Sequence, residues 1–276
     1  MSVPRIFCIR ATRAPVVAVL ARAPSDWVRL GRWDLEHDEY EHGAWLAGTV
    51  YPQRCDLSPD GRWFAYFALK PSSTWDAGST YIAVSRLPWF TALVAWGTGG
   101  TWTSGIRFVE DRERWTLPGP AEGDPGPLRY RYGLELRRAE TFAIERDRGW
   151  TETEDTPARD PHDMWDEKRV RRDVAERTSR RRRRRAHRRW SIRRVPRQPQ
   201  LRPRSLVRAR TRGRARDARP RAVGGLDASG RLLVATSDGR LQVRGADTPA
   251  SAVSWEVDLS ADEPDPQPPP EEARRW

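Results

Sequence analysis

The chain has no asparagine, and only two of its 276 residues, Lys70 and Lys168, are lysine. Forty-eight of its 50 basic residues are therefore arginine. Lysine and asparagine use A-rich codons, so the text reads as the product of a very GC-rich gene. Cysteine is nearly missing too: Cys8 and Cys55 are the only two, which excludes a disulfide framework. No apolar run approaches the roughly 18 residues that a membrane-crossing helix needs. There is no Gly-x-Ser-x-Gly elbow, no His-x-x-x-His pair and no Gly-Lys-Ser/Thr phosphate loop. These absences predict a cytoplasmic, non-enzymatic protein with no cofactor and no membrane partner.

Arginine is abundant but unevenly placed. The window 169–221 holds 24 Arg against three acids, Asp173, Glu176 and Asp217, a charge of +21. The whole chain carries +12, so everything outside the window sums to −9. The protein reads as a mildly acidic body carrying one intensely basic insert. The insert has a single aromatic residue, Trp190, while eleven of the fourteen tryptophans fall in the first 165 residues. So few apolar side chains cannot offset the entropy of ordering the chain, so no separate core is expected there.

Short strand patterns recur before the insert, at 16–21, 27–35, 54–57, 63–69, 81–85, 91–96, 106–109, 113–117, 130–136 and 141–146. Clusters of Gly, Pro, Asp and Ser separate most of them. Basic residues ahead of 14–20 mimic a secretory leader, but Pro15 and Arg22 spoil that pattern, and 16–21 is read as a strand. Asp160 and Pro161 open a helix pattern that runs to about residue 189. The pairs Glu167–Arg171, Asp173–Arg177 and Glu176–Arg180 support it at four-residue spacing. Strand text returns at 223–243, and the Pro- and Glu-rich stretch 261–276 is expected to be a disordered tail.

One motif carries a mechanism. In Leu57-Ser58-Pro59-Asp60-Gly61-Arg62-Trp63, Pro59 presets φ, Asp60 bonds nearby backbone, and Gly61 accepts the positive φ that closes a hairpin. A weaker copy, Leu226-Asp227-Ala228-Ser229-Gly230-Arg231, follows 169 residues later, close to four blade lengths of about 42. A further tight turn sits at Ser237-Asp238-Gly239-Arg240. The first motif resembles the repeat of TolB-like and WD40-like β-propellers. That resemblance implies an all-β fold of propeller-like antiparallel sheets, incomplete as a ring, that binds or scaffolds rather than catalyses. The expected organisation is a propeller-like β region at 1–160, an Arg-rich helical or disordered insert at 161–222, a C-terminal β-hairpin blade at 223–260, and the tail.

Other candidate groups have plainer explanations. Asp160, His162, Asp163, Asp166 and Glu167 are oxygen- and nitrogen-rich, but an acidic first helical turn accounts for them. His37 and His42 are expected in a solvated acidic loop. Cys8 and Cys55 read as small core residues on strands. Gly97-Thr98-Gly99-Gly100 reads as a loop. Trp89, Phe90, Trp96 and Trp102 are expected to pack between sheets rather than line a ligand surface.

The primary expectation is therefore a binding module for an unidentified protein or small molecule. The alternative is nucleic-acid binding through the insert, with Arg180, Arg181, Arg182, Arg183, Arg184, Arg185, Arg188 and Arg189 on phosphates and Trp190 stacked on a base. The insert has two possible origins: selection for that role, or GC-rich codons read out of frame between two compensating errors. Reading the neighbouring frames across codons 169–221 decides between them. Strand-like, Trp-bearing text in either frame identifies the second origin, and its absence from both rules that origin out.

Overall fold

The computed structural model describes residues 3–24, 26–70, 78–101, 103, 105–109, 121–139, 150–151, 193–194, 221–227, 229–245 and 252–276. The chain divides into two compact units, one of residues 1–142 with 205–276 and one of residues 143–204. The described residues form an all-β protein of antiparallel sheets, none of them closed.

The first sheet is a four-stranded meander in sequence order: β1 (Arg5–Arg10), β2 (Val16–Arg22), β3 (Trp27–Asp34) and β4 (Glu39–Ala47). The second is built on β5 (Thr49–Val50), β6 (Asp56–Leu57), β7 (Trp63–Leu69), β8 (Thr80–Arg86) and β9 (Ala92–Gly97). A ribbon follows, in which β10 (Gly105–Val109) pairs with a later strand. Between them lie β11 (Ala121–Gly123), which joins β9 at the edge of the second sheet, and a short helix, α1 (Gly126–Tyr130). The ribbon partner is β12 (Glu135–Ala139). In the other unit, β13 (Trp150–Thr151) pairs with β14 (Arg193–Arg194). The last sheet is again a four-stranded meander: β15 (Arg221–Leu226), β16 (Leu232–Ala235), β17 (Arg240–Arg244) and β18 (Val253–Asp258).

Alternation along two strands explains the packing. On β2, Val16, Ala18 and Leu20 join a core shared with Leu57, Phe64, Tyr66 and Ala83 of the second sheet. Val17, Val19 and Ala21 point the other way, into a core shared with Leu233, Leu241 and Val243 of the last sheet. On β7, Phe64, Tyr66 and Ala68 face the first sheet. Trp63, Ala65 and Phe67 face Ile106, Phe108 and Leu136 of the ribbon. The sheets of this unit thus stack in the order last, first, second, ribbon. Strands covered on both faces read as continuous apolar runs, which is why 16–21 and 63–69 carry almost no polar side chain. Each fully buried large residue contributes about 1.5–3 kcal/mol.

Several expectations are corrected. The pattern 130–136 is not one strand. Pro127 fits the first helical turn of α1, whose Leu128 is buried. The helix then stops at Gly133, at φ +65°, with Gly133 N–H donating to Arg129 and Leu134 N–H to Leu128, the paired bonds of a Schellman end. Strands β1 and β4 are additions to the expected set: β1 is a short apolar run closed by Arg5 and Arg10, and β4 opens on the charged Glu39-Tyr40-Glu41-His42. Of the expected strand 54–57, Arg54 ends a 3-10 turn that starts at Pro52, and only Asp56–Leu57 is strand, the two-residue β6. The C-terminal region is a four-stranded sheet rather than a hairpin. The tail is ordered where it ends: a 3-10 turn at Glu271–Arg274 buries Ala273 completely, and Trp276 packs against the core around Trp63. The patterns at 113–117 and 141–146 and the helix at 161–189 lie outside the described residues.

Gly61 permits the close approach of the first two sheets. It has φ +74°, and a Cβ there would lie 2.7 Å from Cβ of Val16. Gly230 has φ +85° with nothing within 4 Å. Gly230→Ala is expected to cost about 1–2 kcal/mol, from backbone conformation alone. Gly61→Ala is expected to cost more, because Val16 must also move. Urea denaturation of both variants checks this, and equal losses would show that the contact with Val16 is slack.

Candidate functional site

Three turns of this protein share one construction. In the first, Ser58 N–H donates to Trp63 C=O and Gly61 N–H to Ser58 C=O, both at 2.9 Å. Ser58 Oγ donates to Asp60 Oδ1 and itself accepts from Arg62 and Trp63 N–H. In the second, Asp227 stands where Ser58 stood and Ser229 where Asp60 stood. Ser229 Oγ now donates to Asp227 Oδ1 at 2.8 Å, so the same bond is kept with donor and acceptor exchanged. Asp227 Oδ1 accepts from Arg231 N–H at 2.8 Å. In the third, Thr236 Oγ1 accepts from Arg240 N–H at 3.0 Å, and Gly239 has φ +90°. The common pattern is a polar residue, two turn residues, glycine and arginine.

The turns are used to tie sheets together. Pro59 C=O of the first turn accepts from Arg13 and Ala14 N–H, in the loop between β1 and β2. The second turn sends Arg231 across to the loop between β3 and β4. There its guanidinium grips both oxygens of Asp38 at 3.0 and 2.7 Å and reaches Leu35 C=O, while Nε holds Asp227 at 2.6 Å. That loop is shaped to receive it: Asp34 Oδ1 accepts from Glu36 and His37 N–H, and Asp38 has φ +53°. Burial works against the Asp227 carboxylate, but the bonds from Arg231 and Ser229 outweigh it and hold its pKa below the ordinary aspartate value. The second sheet is tied to the ribbon by another buried carboxylate, Asp56, whose Oδ2 accepts from Phe108 N–H at 2.8 Å.

A polar cluster lies where the tail leaves the last sheet. Asp262 pairs with Arg29 at 2.9 Å and stands 3.6 Å from Nδ1 of His42. The Tyr40 ring packs edge-on to His42, in space left by Gly31, whose missing Cβ would fall on the phenol oxygen. Burial, with Arg29 beside it, lowers the His42 pKa against the opposite pull of the Asp262 carboxylate. Burial pushes the Cys8 thiol up to about 12 and the Tyr40 phenol up as well.

Farther along, the tail reaches a seat of aromatic rings and arginines. Trp276 packs on Trp63 at 5.2 Å between ring centroids, and Tyr132 packs on the same indole at 4.8 Å. Arg86 lies over Trp63 and Arg62 over Tyr132, at 5.7 and 5.6 Å. Arg86 Nη1 donates to Glu272 C=O at 2.9 Å, and Arg131 Nη1 to the Trp276 backbone oxygen at 3.4 Å.

Comparison with protein families, with curated proteins and with solved structures finds no match to this chain.

The residues singled out in the sequence are distributed as follows. Arg180–Arg185, Arg188, Arg189 and Trp190 lie outside the described residues, as do Asp160, His162, Asp163, Asp166, Glu167 and Trp102. Among the described residues no three ligating side chains converge as a metal centre would require. His37 is in the expected acidic turn, but His42 is on β4 with Asp262 beside it, which corrects its placement in a solvated loop. Phe90 and Trp96 are buried in the core. Cys8 lies on β1; Cys55 is fully buried just before β6, and both are free thiols. Sequence reasoning missed the Arg231–Asp38 clasp and the Trp276 seat. The exchanged Ser/Asp order of the second turn was the available signal for the first; a lone tryptophan in proline-rich text was the signal for the second.

Arg231→Ala is expected to cost about 2 kcal/mol, since it removes charge-assisted bonds and leaves the largely buried Asp227 without its cation. Asp227 has a depressed folded pKa, so its contribution is complete above the ordinary aspartate value near 4. It is lost as pH falls through the lower folded value. The variant should therefore lose stability at pH 7 and show a weaker decline with acid than the parent, measured by thermal melts across pH 2–7 (approximate range for aspartate titration).

Proposed function

We propose that this protein is a propeller-like binding and scaffolding module that works in the cytoplasm and performs no chemistry of its own. The observation that carries the reading is the first sheet, a four-stranded meander covered on one face by the sheet that follows it in the chain and on the other by the last sheet. Face-to-face meanders of this kind are how propeller blades pack, and joining the last blade to the first is how such a ring is drawn together. The Ser58-Pro59-Asp60-Gly61-Arg62 turn and its two relatives add a repeat signal. The loops joining the strands then supply the contact surface for a protein or small-molecule ligand.

A second reading is favoured by one specific observation, the charge of +21 between residues 169 and 221. Such a segment binds nucleic acid through phosphates, with Trp190 available to stack on a base.

One experiment separates the two. The full chain and a version lacking residues 169–221 are titrated with labelled single-stranded RNA at increasing salt, and both are also immobilised for recovery of protein partners. Nucleic-acid binding through the insert predicts loss of RNA affinity by a factor of about 10³ or more between 50 and 200 mM salt, and its abolition by the deletion. The scaffold reading predicts a protein partner held equally by both versions. A partner lost with the deletion overturns that reading, and RNA binding that survives the deletion overturns the second. An experimental density map in which the sheets do not radiate from a common axis would remove the propeller geometry.

A further inference from the structure

The tail crosses the molecule on two discrete anchors. Asp262 is fixed by Arg29 on the first sheet, and Glu271–Trp276 is fixed on the second sheet and the loop before β12. The eight residues between them, 263–270, include five prolines, Pro264, Pro266, Pro268, Pro269 and Pro270. Proline-rich chain is stiff and extended, near 3.1 Å per residue, so this linker spans roughly 25 Å. With five prolines among its eight residues it has only three backbone N–H groups to offer.

The seat, by contrast, reads its occupant closely. Ala273 is wholly buried, Trp276 lies on Trp63, and the backbone oxygens of Glu272 and Trp276 accept from Arg86 and Arg131. An anchored short peptide on a stiff, proline-rich linker is an arrangement from which segments exchange between identical chains at little cost, because every contact made within one chain is remade between two.

We propose that the seat formed by Trp63, Tyr132, Arg86 and Arg131 is a peptide-binding site that takes Glu271–Trp276 of a second copy in place of the chain's own. Occupation by its own tail keeps the site closed at low concentration, because the linker holds that segment at a high effective concentration. At high concentration, or when the tail is pulled away, the site links copies of this protein. The inference does not rest on the propeller reading.

Two full-length variants test it. Trp276→Ala has an open seat and a weakened tail; Arg86→Glu with Arg131→Glu has an intact tail and a seat that repels Glu271 and Glu272. Each alone is expected to sediment as a monomer, and their equimolar mixture as a dimer, at concentrations on the order of 100 µM. A labelled peptide of residues 262–276 should bind Trp276→Ala at least about tenfold more tightly than the wild type, whose own tail competes. It should not bind the double Arg variant. Equal affinity for wild type and Trp276→Ala, or no binding to either, overturns the site. Peptide binding without dimer formation in the mixture overturns exchange between copies. If Trp276→Ala does not keep its folded circular dichroism, Ala273→Glu replaces it, since a carboxylate at that buried position unseats the tail from the same surface, and the same outcomes apply.

Discussion

Strands β2 and β7 have almost no solvent face, and the rest of the molecule is arranged to satisfy them. A strand with one apolar face needs one partner layer; a strand with two needs a layer on each side. The first sheet therefore cannot be stable with the second alone. It needs the last sheet, delivered from the far end of the chain, to cover Val17, Val19 and Ala21. The same logic places the ribbon against Trp63, Ala65 and Phe67. Contacts of such long sequence separation carry a high closure entropy, which favours a body that forms cooperatively.

Layers held together by apolar area alone could slide, because the hydrophobic effect is not directional. Directional bonds at the sheet ends fix their positions. Pro59 C=O on Arg13 and Ala14, Arg231 on Asp38 and Leu35, and Asp56 on Phe108 each connect a turn or short strand of one layer to the next. One pentapeptide design serves more than one end. Its glycine sets the backbone, its first polar residue closes the turn on itself, and its arginine is left free to reach different partners. In the third turn that arginine stays at home: Arg240 meets Asp238, Glu256 and Asp258, all on the last sheet.

The legible parts of the fold were those with a strong local signal. The apolar runs at 16–21 and 63–69, the strand at 81–85 and the bends at Gly61, Gly230 and Gly239 all follow from side-chain period and from glycine's freedom at positive φ. The missed strands are of two kinds: Arg5–Arg10 is a four-residue apolar run between two arginines, and Glu39–Ala47 begins with exposed charged residues. Local pattern cannot distinguish such strands from coil. The stretch around Tyr130 was misread for the opposite reason: its aromatic and branched residues favour a strand, while Pro127 and Gly133 bracket a single helical turn ending in Schellman bonds. The tail was misread because composition reports the entropy of a free chain and cannot register one buried alanine and one stacked tryptophan at its end.

By itself, the sequence determined that this is an antiparallel β protein with glycine-closed turns, and that its net positive charge comes from one segment, because those properties reside in neighbouring residues. Only the tertiary structure decided which sheet lies on which. It alone brought Arg231 to Asp38, 193 residues away, and Trp276 to Trp63. A guanidinium or an indole carries no address for its partner; the pairing emerges when burial of two-faced strands fixes the layers and leaves those groups within reach.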